Sequence, residues 1–292
     1  GGNNYGVPAS LYIGNSTATI RNCDISNSLN DGIRISGLSA RPLIESCYIH
    51  DNAVQGINNT DTAYGSIGSA LTLRNNTFAR NGSWGAYLNL AAEISSNTFD
   101  GNANGLYISS GSGSGITAFS SNTFLNNIAH MAQIGPNVFL SGSGNMVGAG
   151  NKYAGINLAP ATWSASGTLS PVGADLPYLM RTGEVWMGAG TTLTMAPGVV
   201  LKSRTARFGI VGTLLAVGTP EQPITLTSLR DDTIGGDSNL GDGAVSPARG
   251  DWSELHLGGA GTSGSRLENV VIRWSGGNNY GVPASLYIGN ST

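Results

Sequence analysis

The chain has 292 residues, of which 44 are glycine and only 11% are charged, and its formal net charge is −3. A charge this small, with Lys and Arg scattered along the sequence, argues against a nucleic-acid partner. No apolar run approaches the roughly 20 residues that a membrane span requires, so we expect no membrane-spanning segment. Abundant Gly and Asn, which supply positive-φ turns, favour many short strands over long helices.

A repeated pattern runs through residues 1–150. Five apolar anchors stand 24, 29, 21 and 25 residues apart, at Ile25, Ile49, Phe78, Phe99 and Phe124. A second apolar residue lies five positions before each anchor, at Ile20, Ile44, Leu73, Ile94 and Phe119. Residues five apart in a straight strand face opposite sides, so a bend is predicted between them. The predicted bends fall at Asn22, Ser46, Asn75, Ser96 and Ser121. The predicted fold is therefore all-β, a right-handed parallel β-helix (solenoid) with about 21–29 residues per coil.

An antiparallel sandwich would also show short strands at regular spacing. Its strands, however, have no reason to carry the same residue at the same turn, whereas parallel coils stack identical side chains about 4.8 Å apart. Asn76, Asn97 and Asn122 are predicted to form such a ladder, pointing inward. Cys23 and Cys47 occupy the same position on two earlier coils. We favour two buried thiols there, with a disulfide as the alternative.

The pattern is lost in residues 151–176, which contain Pro160 and Pro171. Residues 1–150 are predicted to be the Asn-rich coils of the C-terminal part of one repeat unit, and residues 151–176 a cap or a joint between units. Strand-like runs resume in residues 177–292, which are predicted to be β-helix coils of the next unit.

Several segments between Pro177 and Leu255 carry a resemblance to known proteins. The segments PYLM, GTTLTMAPGVVLK, GTLLAVGTPEQPITLTS and GDWSEL resemble those of bacterial secreted and cell-surface β-helix proteins. The resemblance implies an extracellular or cell-surface location and, often, a large repetitive protein. It implies no single activity, because β-helices carry lyases, hydrolases, tailspikes and adhesins on the same frame.

A polygalacturonase-like site would combine Asn-Thr-Asp, Asp-Asp, Gly-His-Gly and Arg-Ile-Lys. The chain has 59-NTD-61 and Asp231-Asp232 but neither of the other two motifs. Its histidines, His50, His130 and His256, are scattered, and each is predicted at a turn or a solvent-facing strand position. We therefore predict no catalytic residue, no enzyme activity and no required cofactor; polysaccharide lyase or glycoside hydrolase activity is the alternative.

One loop is rich in acidic side chains. Residues 231–243 gather four carboxylates among glycines, and hard oxygen ligands of this kind suit calcium. The candidate metal ligands are Asp231, Asp232, Asp237, Asn239 and Asp242. The alternative is an exposed Ω-type loop whose Asp and Asn side chains cap their own turns.

The two ends of the sequence are the same. Residues 276–292 repeat residues 1–17 letter for letter, an offset of 276 − 1 = 275 residues. This identity predicts a tandem array with a 275-residue period, and an engineered overlap is the alternative. The coil pattern reappears in residues 267–272, with Asn269 at the bend, so the coils are predicted to run on into the next copy.

Together these patterns predict a non-catalytic structural repeat module of a long extracellular or cell-surface fibre, filament or adhesin. The expected partners are neighbouring copies, end to end. Lateral self-association and surface carbohydrate are further candidate partners, and a carbohydrate-binding or polysaccharide-cleaving β-helix is the alternative function. Whether copies are joined covalently or assemble from separate chains is left open.

Overall fold

A computed structural model describes residues 9–37, 39–59, 71–89, 92–109, 115–239, 245–277, 281 and 283–289. The chain divides into two compact units. Unit 1 comprises Gly1–Ile134 and Leu140–Tyr153, and unit 2 comprises Gly135–Phe139 and Ala154–Thr292. No helix within the described residues is long and apolar enough to cross a membrane.

Short strands make up the first half of the chain. In chain order they are β1 (Ala9–Gly14), β2 (Thr19–Arg21), β3 (Asp24–Ser26), β4 (Asp31–Ser36), β5 (Leu43–Glu45), β6 (Tyr48–His50), β7 (Ile57–Asn58), β8 (Thr72–Arg74), β9 (Thr77–Ala79), β10 (Trp84–Leu88), β11 (Glu93–Ser95), β12 (Thr98–Asp100), β13 (Asn104–Ile108), β14 (Gly115–Ser120), β15 (Thr123–Leu125), β16 (His130–Ile134), β17 (Val138–Ser141) and β18 (Met146–Val147).

Similar strands continue through the second half. They are β19 (Tyr153–Leu158), β20 (Ala161–Trp163), β21 (Gly167–Leu169), β22 (Tyr178–Met180), β23 (Val185–Met187), β24 (Thr192–Met195), β25 (Val200–Ser203), β26 (Phe208–Ile210), β27 (Thr213–Val217), β28 (Ile224–Ser228), β29 (Leu255–Gly258), β30 (Arg266–Glu268), β31 (Val270–Ile272) and β32 (Leu286–Gly289). A short 3-10 helix, Ala260–Gly264, lies between β29 and β30.

Every third strand of unit 1 is paired, in parallel, so that the unit has three faces. The first face contains β1, β4, β7, β10, β13 and β16, the second β2, β5, β8, β11 and β14, and the third β3, β6, β9, β12, β15 and β18. One passage through the three faces is one coil of a parallel β-solenoid, as predicted. On the third face the predicted anchors are register partners: Ile25 with Ile49, Ile49 with Phe78, Phe78 with Phe99, and Phe99 with Phe124.

The corner between the second and third faces is formed by a residue with positive φ. All five predicted bends, Asn22, Ser46, Asn75, Ser96 and Ser121, have φ between 53° and 56°. Asn tolerates this left-handed conformation better than most residues, which explains part of its abundance. The predicted bend positions are therefore confirmed.

Aromatic side chains fill the interior of unit 1 along the same line. The rings of Phe78 and Phe99 stack with centroids 4.9 Å apart, and those of Phe99 and Phe124 with centroids 5.0 Å apart. All three side chains are fully buried. The ring spacing follows the spacing of neighbouring parallel strands, so each coil repeats the contact of the one before.

Unit 2 is built in the same way. Its first face contains β19, β22, β25, β28 and β31, its second β20, β23, β26, β29 and β32, and its third β21, β24, β27 and β30. On the second face, Trp186 pairs with Gly209, a step of 209 − 186 = 23 residues, and Gly209 pairs with His256, a step of 256 − 209 = 47. The longer step contains the acidic loop, which is an excursion from one coil.

The structure assigns strands to residues 151–176 and a bend to Asn269, the two remaining stretches of the sequence prediction. Residues 151–176, predicted as a cap or joint, carry β19, β20 and β21, which pair with β22, β23 and β24. The boundary between the units falls inside this stretch, after Tyr153. Farther along, Asn269 has φ 47° and separates β30 from β31, so the bend predicted there is confirmed.

Candidate functional site

The predicted asparagine ladder exists and is longer than predicted. The backbone amide of Cys47 donates to the side-chain oxygen of Asn76 at 3.0 Å, and the same contact then passes from Asn76 to Asn97, Asn122 and Asn145. These four Asn side chains are 2% exposed or less. Each lies directly after a positive-φ residue, namely Asn75, Ser96, Ser121 or Gly144, at the entrance to the third face.

Each rung satisfies its own polar atoms through the neighbouring coils. The amide nitrogen of Asn97 donates to the carbonyl of Leu73 at 3.0 Å and to Oδ1 of Asn122 at 3.1 Å. Oδ1 of Asn97 accepts from both the backbone and the side-chain nitrogen of Asn76, at 3.0 Å each. A buried amide left without such partners would cost stability, so the ladder holds consecutive coils in one register.

A second, parallel ladder was not predicted. It lies at the exit from the third face and runs through Asn52, Asn81, Asn102, Asn127 and Asn151, all 2% exposed or less. A positive-φ residue precedes each of its five rungs: Asp51, Arg80, Gly101, Asn126 and Gly150. The sequence contained the signal, because the rungs from Asn52 to Asn127 stand five residues after their counterparts in the first ladder, as in Asn76 and Asn81, and Asn151 stands six after Asn145.

The two cysteines occupy equivalent positions on consecutive coils but differ in solvent exposure. Both thiols are free, and Cys47 is buried whereas Cys23, on the first described coil, is exposed. Burial raises the pKa of the Cys47 thiol. The favoured prediction of two thiols is confirmed, but the prediction that both are buried is wrong for Cys23, because no described coil covers it.

A charged cluster that the sequence analysis missed lies on the outside of the third face of unit 1. His50 is held between Asp51, at its Nδ1, and Asp24, whose Oδ1 is 3.0 Å from Nε2. Arg80 pairs with Asp51 at 2.6 Å, and the Tyr48 ring stacks on His50 at 3.8 Å. Hydrogen bonds from Arg80 and His50 lower the pKa of Asp51 to about 2, so this carboxylate stays ionised near neutral pH. The adjacent letters His50-Asp51 were the available signal.

Four rings form what we call the aromatic patch on the first face of unit 1: Trp84, Tyr87, Tyr107 and His130. Ring centroids of Tyr87 and Tyr107 lie 5.0 Å apart, and those of Trp84 and His130 lie 5.9 Å apart. The side chains are half-buried. All of these residues lie in strands, so His130, like His50 and His256, is a strand residue and not a turn residue.

The acidic loop is tied to two cations of the protein itself. Asp231, 1% exposed, accepts from the hydroxyls of Thr227 and Thr233 and pairs with Arg273 at 2.6 Å. Burial raises the pKa of Asp231, but these partners outweigh it and the pKa lies below its usual value.

The second cation is Lys202, which is fully buried and donates to the carbonyl of Gly236 at 2.5 Å. Burial lowers the pKa of Lys202 to about 8, although the negative charges of Asp232, Asp231 and Asp237 oppose the change. Asp237 also accepts from the backbone amide of Asn239 at 3.2 Å, as in the capped-loop alternative.

Four of the five predicted calcium ligands are therefore in one described loop, and Asp242 lies outside the described residues. Where the structure describes the chain, it contains no group of three or more His, Cys, Asp or Glu side chains arranged to hold a metal. The calcium site stays a prediction. Of the 59-NTD-61 motif, Thr60 and Asp61 likewise lie outside the described part.

A second buried charge cluster lies on the second face of unit 2. The Glu254 carboxylate, 0% exposed, pairs with Arg207 at 2.9 Å and with Nδ1 of His256 at 3.2 Å, and accepts from Ser253 Oγ at 2.7 Å. The ring of Tyr287, in β32, stacks on His256 with centroids 4.4 Å apart. The cluster thus underlies the strand that belongs to the repeated seventeen residues.

Comparison with known proteins supports the fold. Neither the curated proteins nor the solved structures contain a match to this chain. The sequence model of one family, described as Right handed beta helix region, matches residues 9–169, which is more than half of the chain. The parallel coils, the positive-φ corners and the stacked interior all agree with that match, and the chain belongs to the right-handed β-helix family.

Proposed function

We propose that this chain is a structural, non-catalytic repeat module of a long fibre on a bacterial cell surface or outside the cell. The two asparagine ladders carry the proposal. Each rung bonds to the coil before it and to the coil after it, so the structure is stabilised by nearest neighbours and extends in one dimension. Such a stack serves well as a spacer or fibre.

The environment of the charged groups supports a non-catalytic role. Asp51 is engaged by Arg80 and His50, and Glu254 is engaged by Arg207 and His256. A catalytic acid needs a pKa near the working pH, whereas the pKa of Asp51 is lowered to about 2. These pairs bind neighbouring coils to one another, since Asp51 and Arg80 lie on consecutive coils of the third face.

The mass of the native protein after denaturation tests the proposal. A covalent fibre made of 275-residue copies predicts a denatured mass many times the 29.8 kDa of this chain. Cell fractionation should recover the same protein outside the cell or at its surface. A native protein with a denatured mass near 29.8 kDa would contradict a covalent fibre.

A second candidate function, carbohydrate binding, is favoured by the aromatic patch. Half-buried Trp and Tyr rings offer an apolar surface with polar edges, which suits a sugar ring. Titration of surface polysaccharides while tryptophan fluorescence is recorded tests this function. Binding that is lost in Trp84→Ala and kept in Val271→Ala, a change at an exposed position on another coil, would establish it. No binding would refute the function, and equal binding in both variants would refute the aromatic patch as its site.

A further inference from the structure

We propose that the repeated seventeen residues are the joint between successive copies, and that their strand pairs with two coils at once. On one side it would pair with β29 of the preceding copy, and on the other with β4 of its own copy. This inference rests on the proposed tandem fibre, because it names the surface through which one copy holds the next.

The two occurrences of the segment show the two halves of this arrangement. In β32, Ile288 lies opposite Leu257 of β29. In β1, Ile13 lies opposite Ile35 of β4. Since 288 − 275 = 13, Ile288 and Ile13 are the same residue of the repeat. One occurrence therefore shows the strand with the coil before it, and the other shows it with the coil after it.

The hydrogen bonds of the two halves use different backbone atoms. The carbonyl of Gly289 accepts from the amide of Gly259 at 3.1 Å, whereas the amide of Asn15 donates to the carbonyl of Ser36 at 2.9 Å. Gly289 corresponds to Gly14, because 289 − 275 = 14. A strand in the middle of a parallel sheet bonds to one neighbour through one set of groups and to the other through the alternate set. Both halves can therefore form together.

Burial is complementary in the two occurrences. Ile13 is 4% exposed under the coil that follows it, whereas Ile288 is 60% exposed. Tyr12 is 43% exposed, whereas Tyr287 is half-buried against the preceding coil. The isoleucine is buried only in the first occurrence, and the tyrosine is covered only in the second. A strand with both neighbours would therefore cover both side chains.

The two occurrences of the tyrosine contact opposite neighbours. Tyr287 stacks its ring on His256 of the preceding coil, with centroids 4.4 Å apart. Tyr12 places its hydroxyl 2.5 Å from Oγ of Ser36 in the following coil. The two neighbours therefore contact different parts of this side chain, the ring face on one side and the hydroxyl on the other.

Thiol labelling of a two-copy chain, residues 1–275 followed by residues 1–292, tests the joint. Ile288→Cys is introduced into the 292-residue chain and, at position 288 counted from the first residue, into the two-copy chain, where this residue is also Ile13 of the second copy. N-ethylmaleimide labelling is followed by peptide mass spectrometry, which separates this site from Cys23 and Cys47. We expect labelling in the two-copy chain to be slower by about 100-fold or more, because it would require local opening.

Ile128→Cys in the first copy is the matched control, since Ile128 is 67% exposed and lies between β15 and β16, outside the paired strands of the joint, and it should label equally in both chains. Equal labelling of Ile288→Cys in both chains would overturn the joint. If that variant fails to fold, hydrogen exchange of residues 286–289 in the unsubstituted chains replaces it, and equal exchange overturns the joint. The native mass is a separate measurement: a large mass with unprotected residue 288 leaves the fibre standing without this joint, and a single-copy mass removes the fibre.

Discussion

Replacement of one ladder asparagine by alanine should destabilise unit 1 strongly. Asn127 is the informative position, because it is fully buried and bonded on both sides. Its amide nitrogen donates to the carbonyl of Phe99 at 3.0 Å and to Oδ1 of Asn151 at 2.9 Å. Its Oδ1 accepts from the backbone and side-chain nitrogens of Asn102, at 3.3 Å each.

The size of the effect follows from this inventory. Asn127→Ala removes four hydrogen bonds, each with a net contribution of about 1 kcal/mol, for a total of about 4 kcal/mol. The methyl group cannot replace the acceptor of the buried Asn102 amide, and an unsatisfied buried donor alone costs about 1–3 kcal/mol. We therefore expect the free energy of unfolding to fall by about 3–5 kcal/mol.

Urea titration followed by far-ultraviolet circular dichroism measures the change. Asn126→Gly is the matched control: Asn126 is the preceding residue, it is exposed and has φ 53°, and Gly accepts this conformation without strain. Its single side-chain bond, to Asp100, is exposed, so the control should change stability by about 0.5 kcal/mol or less. If Asn127→Ala behaves like this control, the ladder is not a source of stability.

Three further changes test other parts of the structure. Gly209→Ala should lower stability by about 1–3 kcal/mol in the same titration, because a Cβ there would lie 2.1 Å from the Trp186 ring. Lys202 has a pKa of about 8 when folded and an ordinary value of 10.5, so the unfolded chain binds more protons between these pH values. Stability should rise by about 3 kcal/mol as the pH goes from about 8 to about 10.5, and Lys202→Met should lack this rise. Finally, dithionitrobenzoate should modify Cys23 in the native chain and Cys47 only after unfolding.

Controls accompany each of these changes. Gly264→Ala should be nearly neutral, because the nearest atom to its Cβ would be 3.6 Å away, and equal losses at both glycines would refute steric exclusion. The Lys202 reasoning fails if the pH dependence of the wild type and of Lys202→Met is the same. Immediate modification of both thiols in the native chain would contradict the burial of Cys47.

The coil spacing was predictable because it depends on local chemistry. Each bend needs a residue that accepts positive φ, and each strand on either side needs one inward apolar residue, so both recur at every coil. The anchors from Ile25 to Phe124, their register and the bends between Asn22 and Ser121 followed from this requirement. The first ladder followed as well, because stacked amides occupy equivalent positions.

The features that the sequence did not predict depend on contacts between coils of unequal length. The second ladder stands five residues from the first on every coil except the last, where Asn145 and Asn151 are six apart, but its members lie beyond the anchor, outside the pattern that was aligned. Asp24 and His50 meet because 26 residues separate them across one coil, a distance that only the register defines. Burial of Lys202 beneath the acidic loop required the course of that loop, which sequence periodicity does not describe.

The ladders also give the solenoid a direction. In both ladders the backbone amide of each rung donates to Oδ1 of the next rung along the chain, as Asn97 does to Asn122. Because a carboxamide nitrogen cannot accept such a bond, the amide orientation is determined, and every hydrogen bond between two ladder side chains runs from the earlier coil to the later one. Aligned amides polarise one another along the axis. A ladder of this kind can be continued only by a coil that runs in the same direction, so the two ladders favour the parallel coils of unit 1 over any antiparallel arrangement of the same strands.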